Sequence, residues 1–147
     1  DERQPDGIQL HRLRGMRLNS GLGFRRFGRR AAACAAELQP DVTHSMTVAF
    51  PGDVYQPHAG IYPAIQAQAV ASRDPPASAN WKRLMLNLSL KQRTLLALER
   101  RAMTNPIQPR RIISLCPMMT AQFHENYPNL DLKRIVELPN PRMTPAP

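Results

Sequence analysis

The sequence predicts an α/β fold with a doubly wound, parallel sheet, and three observations carry that expectation. First, β-prone runs alternate along the chain with stretches of helical period, the order that crossover helices between parallel strands produce. Second, Arg111-Ile-Ile-Ser-Leu-Cys116 runs straight into Pro117 and an apolar stripe at Met119, Phe123 and Tyr127, which reads as strand, cap and helix. Third, two short β-prone runs, Val42 to Thr43 and Asp53 to Gln56, stop close to groups that ionise or hydrogen-bond: His44 with Ser45, then His58 with Gly60. Ligands of open α/β sheets bind beyond the carboxyl ends of the strands, where loops carry polar residues on a fixed support. The stretch 41–60 is therefore the expected edge of a cleft.

Composition bounds the rest. A chain of 147 residues with 42% hydrophobic residues is one domain with a real core, and with only 5% aromatics that core is aliphatic. No apolar run is long enough to span a bilayer and no signal peptide opens the chain, so a cytoplasmic location is expected. Cys34 and Cys116 belong to no CxxC or Cys/His cluster, which argues against a structural zinc site and a disulfide framework. Lys and Arg number 20 against 11 acidic residues, a net charge of +9. That balance favours anionic partners such as phosphates, nucleic acid or an acidic membrane face, with a solvated basic surface as the plain alternative.

Taken in order, Ile8, Leu10 and Leu13 alternate with polar residues and suggest a short edge strand, and 14–23 reads as a glycine-bearing loop. From Phe24 the period becomes helical through Phe27, Ala31, Cys34, Ala35 and Leu38, closed by Pro40. Cys34 lies on the apolar stripe and reads as core. Arg25, Arg26, Arg29 and Arg30 crowd the first half of this helix, where the macrodipole disfavours each cation by roughly 0.3 kcal/mol or more. Such a placement suggests a patch for an anionic surface, although a solvated face gives the same pattern.

Next come a strand over 41–43, a loop with His44 and Ser45, and the turn Pro51-Gly52-Asp53 before the strand that ends in Gln56-Pro-His-Ala-Gly60. Pro57 pre-sets the backbone before His58, and Ala59 and Gly60 leave room for a substrate to approach the main chain. A histidine packed in a turn is the alternative for His58; one satisfied at a strand end is the alternative for His44. A short helix over 61–72 follows, broken by Asp74-Pro-Pro. The longest helix is expected from an N-cap at Asn80, with Trp81, Leu84, Met85, Leu88, Leu95, Ala102 and Met103 in 3.6 period. Glu99 falls on that stripe, and a carboxylate there must find an arginine, a hydroxyl or a free amide; it reads as a structural anchor, with a catalytic role as the lesser alternative. Lys133-Arg-Ile-Val-Glu-Leu138 is the last strand before the proline-rich tail, 140–147.

These residues, in this order and spacing, resemble a known family. Asp41-Val-Thr-His44, Gln56-Pro-His-Ala-Gly60, Leu98-Glu-Arg100, Arg111-Ile-Ile-Ser-Leu-Cys-Pro-Met-Met, Tyr127, Arg134-Ile-Val and Leu138-Pro-Asn140 together are similar to the amino-terminal half of family 4 retaining glycosyltransferases of the GT-B fold, especially those of lipopolysaccharide core synthesis. The resemblance implies a Rossmann-like acceptor domain over 1–139, with a mostly parallel sheet, flanking helices and an interdomain hinge at the tail. It implies sugar transfer from a nucleotide diphosphosugar to a glycan or lipid-linked acceptor, with retention and with neither metal nor other cofactor. His58 takes the place of the histidine that faces the donor sugar, Gly60 permits close approach, and His44 is a second cleft residue. The family's first strand, glycine-rich loop and second domain would lie outside this chain, Pro141 stands where the family has a hinge glycine, and Cys116 stands where a serine is usual. The chain is therefore expected to be a fragment, inactive alone; its expected location is cytoplasmic, with peripheral contact at the inner face of the membrane as an option. The rival is a non-catalytic basic module for nucleic acid or anionic membrane; few aromatics and no nucleic-acid motif weigh against nucleic acid.

Overall fold

A computed structural model describes residues 7–13 and 20–139. The fold is α/β: a four-stranded, all-parallel sheet flanked by five helices. Helix α1 (Gly21–Leu38) leads into β1 (His44–Ser45) and β2 (Val54–Tyr55), then come α2 (Tyr62–Ala71), α3 (Pro76–Leu88) and α4 (Leu90–Thr104). Strand β3 (Arg111–Ser114), α5 (Pro117–Asn126), a 3-10 turn at Leu132–Arg134 and β4 (Ile135–Glu137) complete it. The strands lie side by side in sequence order, β1-β2-β3-β4. Among the described residues the sheet therefore has no reversal of strand order of the kind that a doubly wound sheet contains. The expected tail, 140–147, lies outside the described residues.

Register is pinned at the start of the short strands. The Asp53 carboxylate accepts the Thr43 N–H at 3.0 Å and the Thr43 hydroxyl at 2.7 Å, while the Asp53 N–H donates to the Thr43 hydroxyl at 2.8 Å. These bonds hold the Asp53 carboxyl below its ordinary range, the Thr43 hydroxyl contributing most. They align His44 with Val54 and Ser45 with Tyr55. The core beneath the sheet joins Val48, Tyr55, Ile61, Ala102, Met103, Ile112, Met119, Phe123, Tyr127 and Leu130. Arg134 is buried among backbone carbonyls: its guanidinium donates to Asn105 O at 2.9 Å and to Pro109 O at 3.0 Å through Nε, with a second bond to Pro109 O from Nη2. The α4–β3 connection is thereby tied to the start of β4.

Several expectations are corrected. Residues 8–13 join no strand, and Ile8 and Leu10 stay more than half exposed. Of the expected loop, 14–19 lies outside the described residues and 21–23 is helical, because Ser20 caps α1 by accepting the Gly23 N–H at 3.1 Å. The long helix starts at Pro76 rather than Asn80 and breaks at Ser89, whose extended backbone ends α3 and whose hydroxyl caps α4 at the Gln92 N–H. The break turns the α3 half of the stripe outward: Trp81 is 63% and Leu88 62% exposed, while Leu95, Ala102 and Met103 are buried. Cys34 is only half-buried. No helix among the described residues is long and apolar enough to cross a membrane.

Candidate functional site

The carboxyl ends of the strands gather the polar loops. Tyr55 ends β2 in the core, and the chain then passes through Gln56 to buried Pro57, exposed His58 and Ala59, half-buried Gly60 and fully buried Ile61. Pro57 and Ile61 anchor the two sides of the loop, so His58 is presented outward on a fixed base. Gly60 adopts φ +95°, a conformation that L residues rarely take, and a side chain added there would face Gln122 Oε1 of α5 at 3.6 Å. His58 and Gly60 lie in the β2–α2 loop, which follows an interior strand of the sheet.

Beyond β3 and β4 lies a chain of hydroxyls that sequence reasoning did not find. Ser114 is fully buried and donates to Cys116 O at 2.9 Å. The Thr120 hydroxyl lies 2.9 Å from Ser114 Oγ and donates to Glu137 Oε1 at 2.6 Å, so the first turns of α5 are tied to the exposed end of β4. The available signal was a polar residue ending each of two apolar runs, but Thr120 is visible only once α5 packs over the sheet. Cys116 is the N-cap of α5, as expected, without a side-chain cap bond.

Beneath the loop sits Glu99. It is completely buried, and its Oε2 accepts the Tyr62 N–H at 2.9 Å and the Tyr127 hydroxyl at 2.8 Å. Its Oε1 has no hydrogen-bond partner. Burial pushes the carboxyl up to about 7, opposed by the bonds from Tyr127 and Tyr62 and by the nearby Tyr55 phenol. Helix α2 has no side-chain cap of its own, so Glu99 stands in for one at the helix that leaves the His58 loop. The anchor role expected for Glu99 matches this geometry.

The other expected residues lie elsewhere. His44 is in β1 rather than in a loop after it, exposed on the edge strand of the sheet, while its neighbour Ser45 turns inward against the Thr47 backbone. The arginines of α1 are all exposed, but only Arg25 and Arg29 line the cleft between α1 and α4; Arg26 and Arg30 do not. Among the described residues no group of three or more His, Cys, Asp or Glu side chains could hold a metal ion.

Compared with protein-family models, curated proteins and solved structures, the chain matches none.

Proposed function

We propose that this chain is an acceptor-side domain of a retaining glycosyltransferase, which moves a sugar from a nucleotide diphosphosugar to a glycan or lipid-linked acceptor. The observation that carries the reading is the β2–α2 loop: an exposed His58 and a left-handed Gly60 at the carboxyl end of an interior parallel strand, between buried Pro57 and Ile61. The ordered motifs that resemble the family run through the same elements. In such a reaction the acceptor hydroxyl attacks the anomeric carbon on the face the diphosphate leaves, and the diphosphate oxygen takes its proton. His58 would position the donor sugar and stabilise charge as it develops, the Gly60 backbone would allow close approach, and Glu99 would hold the loop's exit through Tyr62.

The test is sugar transfer by an enzyme that joins this chain to a donor-binding carboxyl-terminal domain. His58→Ala is expected to lower the transfer rate about tenfold or more with an unchanged melting temperature. Early melting with full specific activity would make His58 a packing residue and end the proposal.

A further inference from the structure

We propose that the cleft between α1 and α4 is a binding site for a phosphate-bearing ligand, gripped by Arg25, Arg29 and Arg101. The cleft encloses about 430 Å³. Arg25 and Arg29, one turn apart on α1, form one side and Arg101 of α4 the other; Phe50, Pro51 and Leu98 supply apolar walls. Its shape depends on Gly28, where an added Cβ would lie 2.0 Å from the Ala49 carbonyl oxygen, so only glycine lets α1 settle this close to the 49–51 turn.

Charge decides the ligand class. No acidic residue lines the cleft, and among the described residues none of the three guanidinium groups has a hydrogen bond or ion pair. A neighbouring hollow shares Ala97 and Arg101 and adds Arg93 and Arg100, so the positive field is reinforced rather than softened. Like charges one helical turn apart destabilise a helix, and an anion between them removes that cost. Guanidinium forks match phosphate oxygens two at a time, and apolar walls strengthen the attraction by excluding water. The volume suits a phosphosugar or a lipid headgroup, with Phe50 and Pro51 against its carbon skeleton. Nucleic acid fits less well, because the arginines converge on one cleft and Phe50 is the sole aromatic lining it. No lining residue belongs to the His58 loop, so the site stands independently of the transferase reading.

The experiment is calorimetry of the full chain with pyrophosphate, beside flotation with vesicles of phosphatidylglycerol in phosphatidylcholine, at low and high salt. Arg25→Gln/Arg29→Gln/Arg101→Gln is expected to weaken binding about tenfold or more, while Arg12→Gln/Arg73→Gln/Arg83→Gln, which removes the same charge from exposed positions outside the cleft, leaves it within about twofold. Pyrophosphate binding identifies a soluble phosphate ligand; cleft-dependent vesicle binding alone identifies a headgroup. Arg101→Lys keeps the charge but not the fork, and is expected to weaken binding with an unchanged melt, which covers the case of a poorly folded triple variant. Equal losses in both triples, no binding to either probe, or duplex RNA binding that ignores the cleft substitutions would each overturn the site.

Discussion

The Glu99 carboxylate on α4 accepts the backbone N–H of Tyr62, the first residue of α2, at 2.9 Å across 37 positions of sequence. A helix without its own side-chain cap thus borrows one from the buried face of another helix, and the same oxygen holds the Tyr127 hydroxyl at the end of α5. Three helices around the candidate site share one acceptor.

Stability should fall as pH rises toward neutrality because of this residue. Glu99 titrates near 4.5 when unfolded and is raised to about 7 by burial in the fold, so the folded chain binds the proton more tightly. The resulting stabilisation is complete below about 4.5 and disappears as pH rises through about 7. Between pH 4.5 and 8 the wild type should lose about 3 kcal/mol relative to Glu99→Gln, which cannot ionise. Denaturant titrations across that range measure the difference, and parallel pH profiles would show that the carboxylate ionises without cost. Asp53 has the opposite sign, its contribution being lost as pH drops below the ordinary carboxylate range.

Tyr127→Phe removes one donor to the carboxylate and is expected to cost about 1–2 kcal/mol. It should also move the Glu99 midpoint further up, because the lost bond favoured the charged form. Glu99→Ala, which strands both the Tyr62 N–H and the Tyr127 hydroxyl, should cost more, about 2–5 kcal/mol. An unchanged melt in Glu99→Ala would remove the anchor from the account.

Gly28→Ala should destabilise by about 1–3 kcal/mol even though alanine favours helix, since the methyl group meets the Ala49 carbonyl. Urea midpoints test it, and a more stable variant would mean that α1 does not rest on the 49–51 turn.

Arg134→Met should cost about 3 kcal/mol or more, because the Asn105 and Pro109 carbonyls lose their donor inside the protein. Arg134→Lys should recover only part of this, having no planar fork to reach both. Full recovery with lysine would reduce the role of Arg134 to charge alone.

Trp81 is the single tryptophan and stands 63% exposed on α3. Its fluorescence should therefore be that of a wet indole and readily quenched by iodide, and Trp81→Ser should shift stability by less than about 0.5 kcal/mol. A blue, protected emission in dilute solution would place this face against a partner.

The sequence by itself determined the alternation of strand and helix, the Cys116–Pro117 start of α5, the buried stripe at Met119, Phe123 and Tyr127, and the need of Glu99 for a donor. Each of these is a local pattern: a period, a cap residue, or a charge on an apolar face. Tertiary structure alone decided which donors Glu99 found, that His44 entered a strand, and that the stripe through Trp81 faces outward once Ser89 breaks the helix. It also brought Arg101 opposite Arg25 and Arg29, over a glycine that sequence reading had no reason to single out. The physical reason is range. Period and capping act within a few residues, whereas a carboxylate's partner or a cleft's charge is set by which backbones approach closely, and no spacing along one chain segment encodes that.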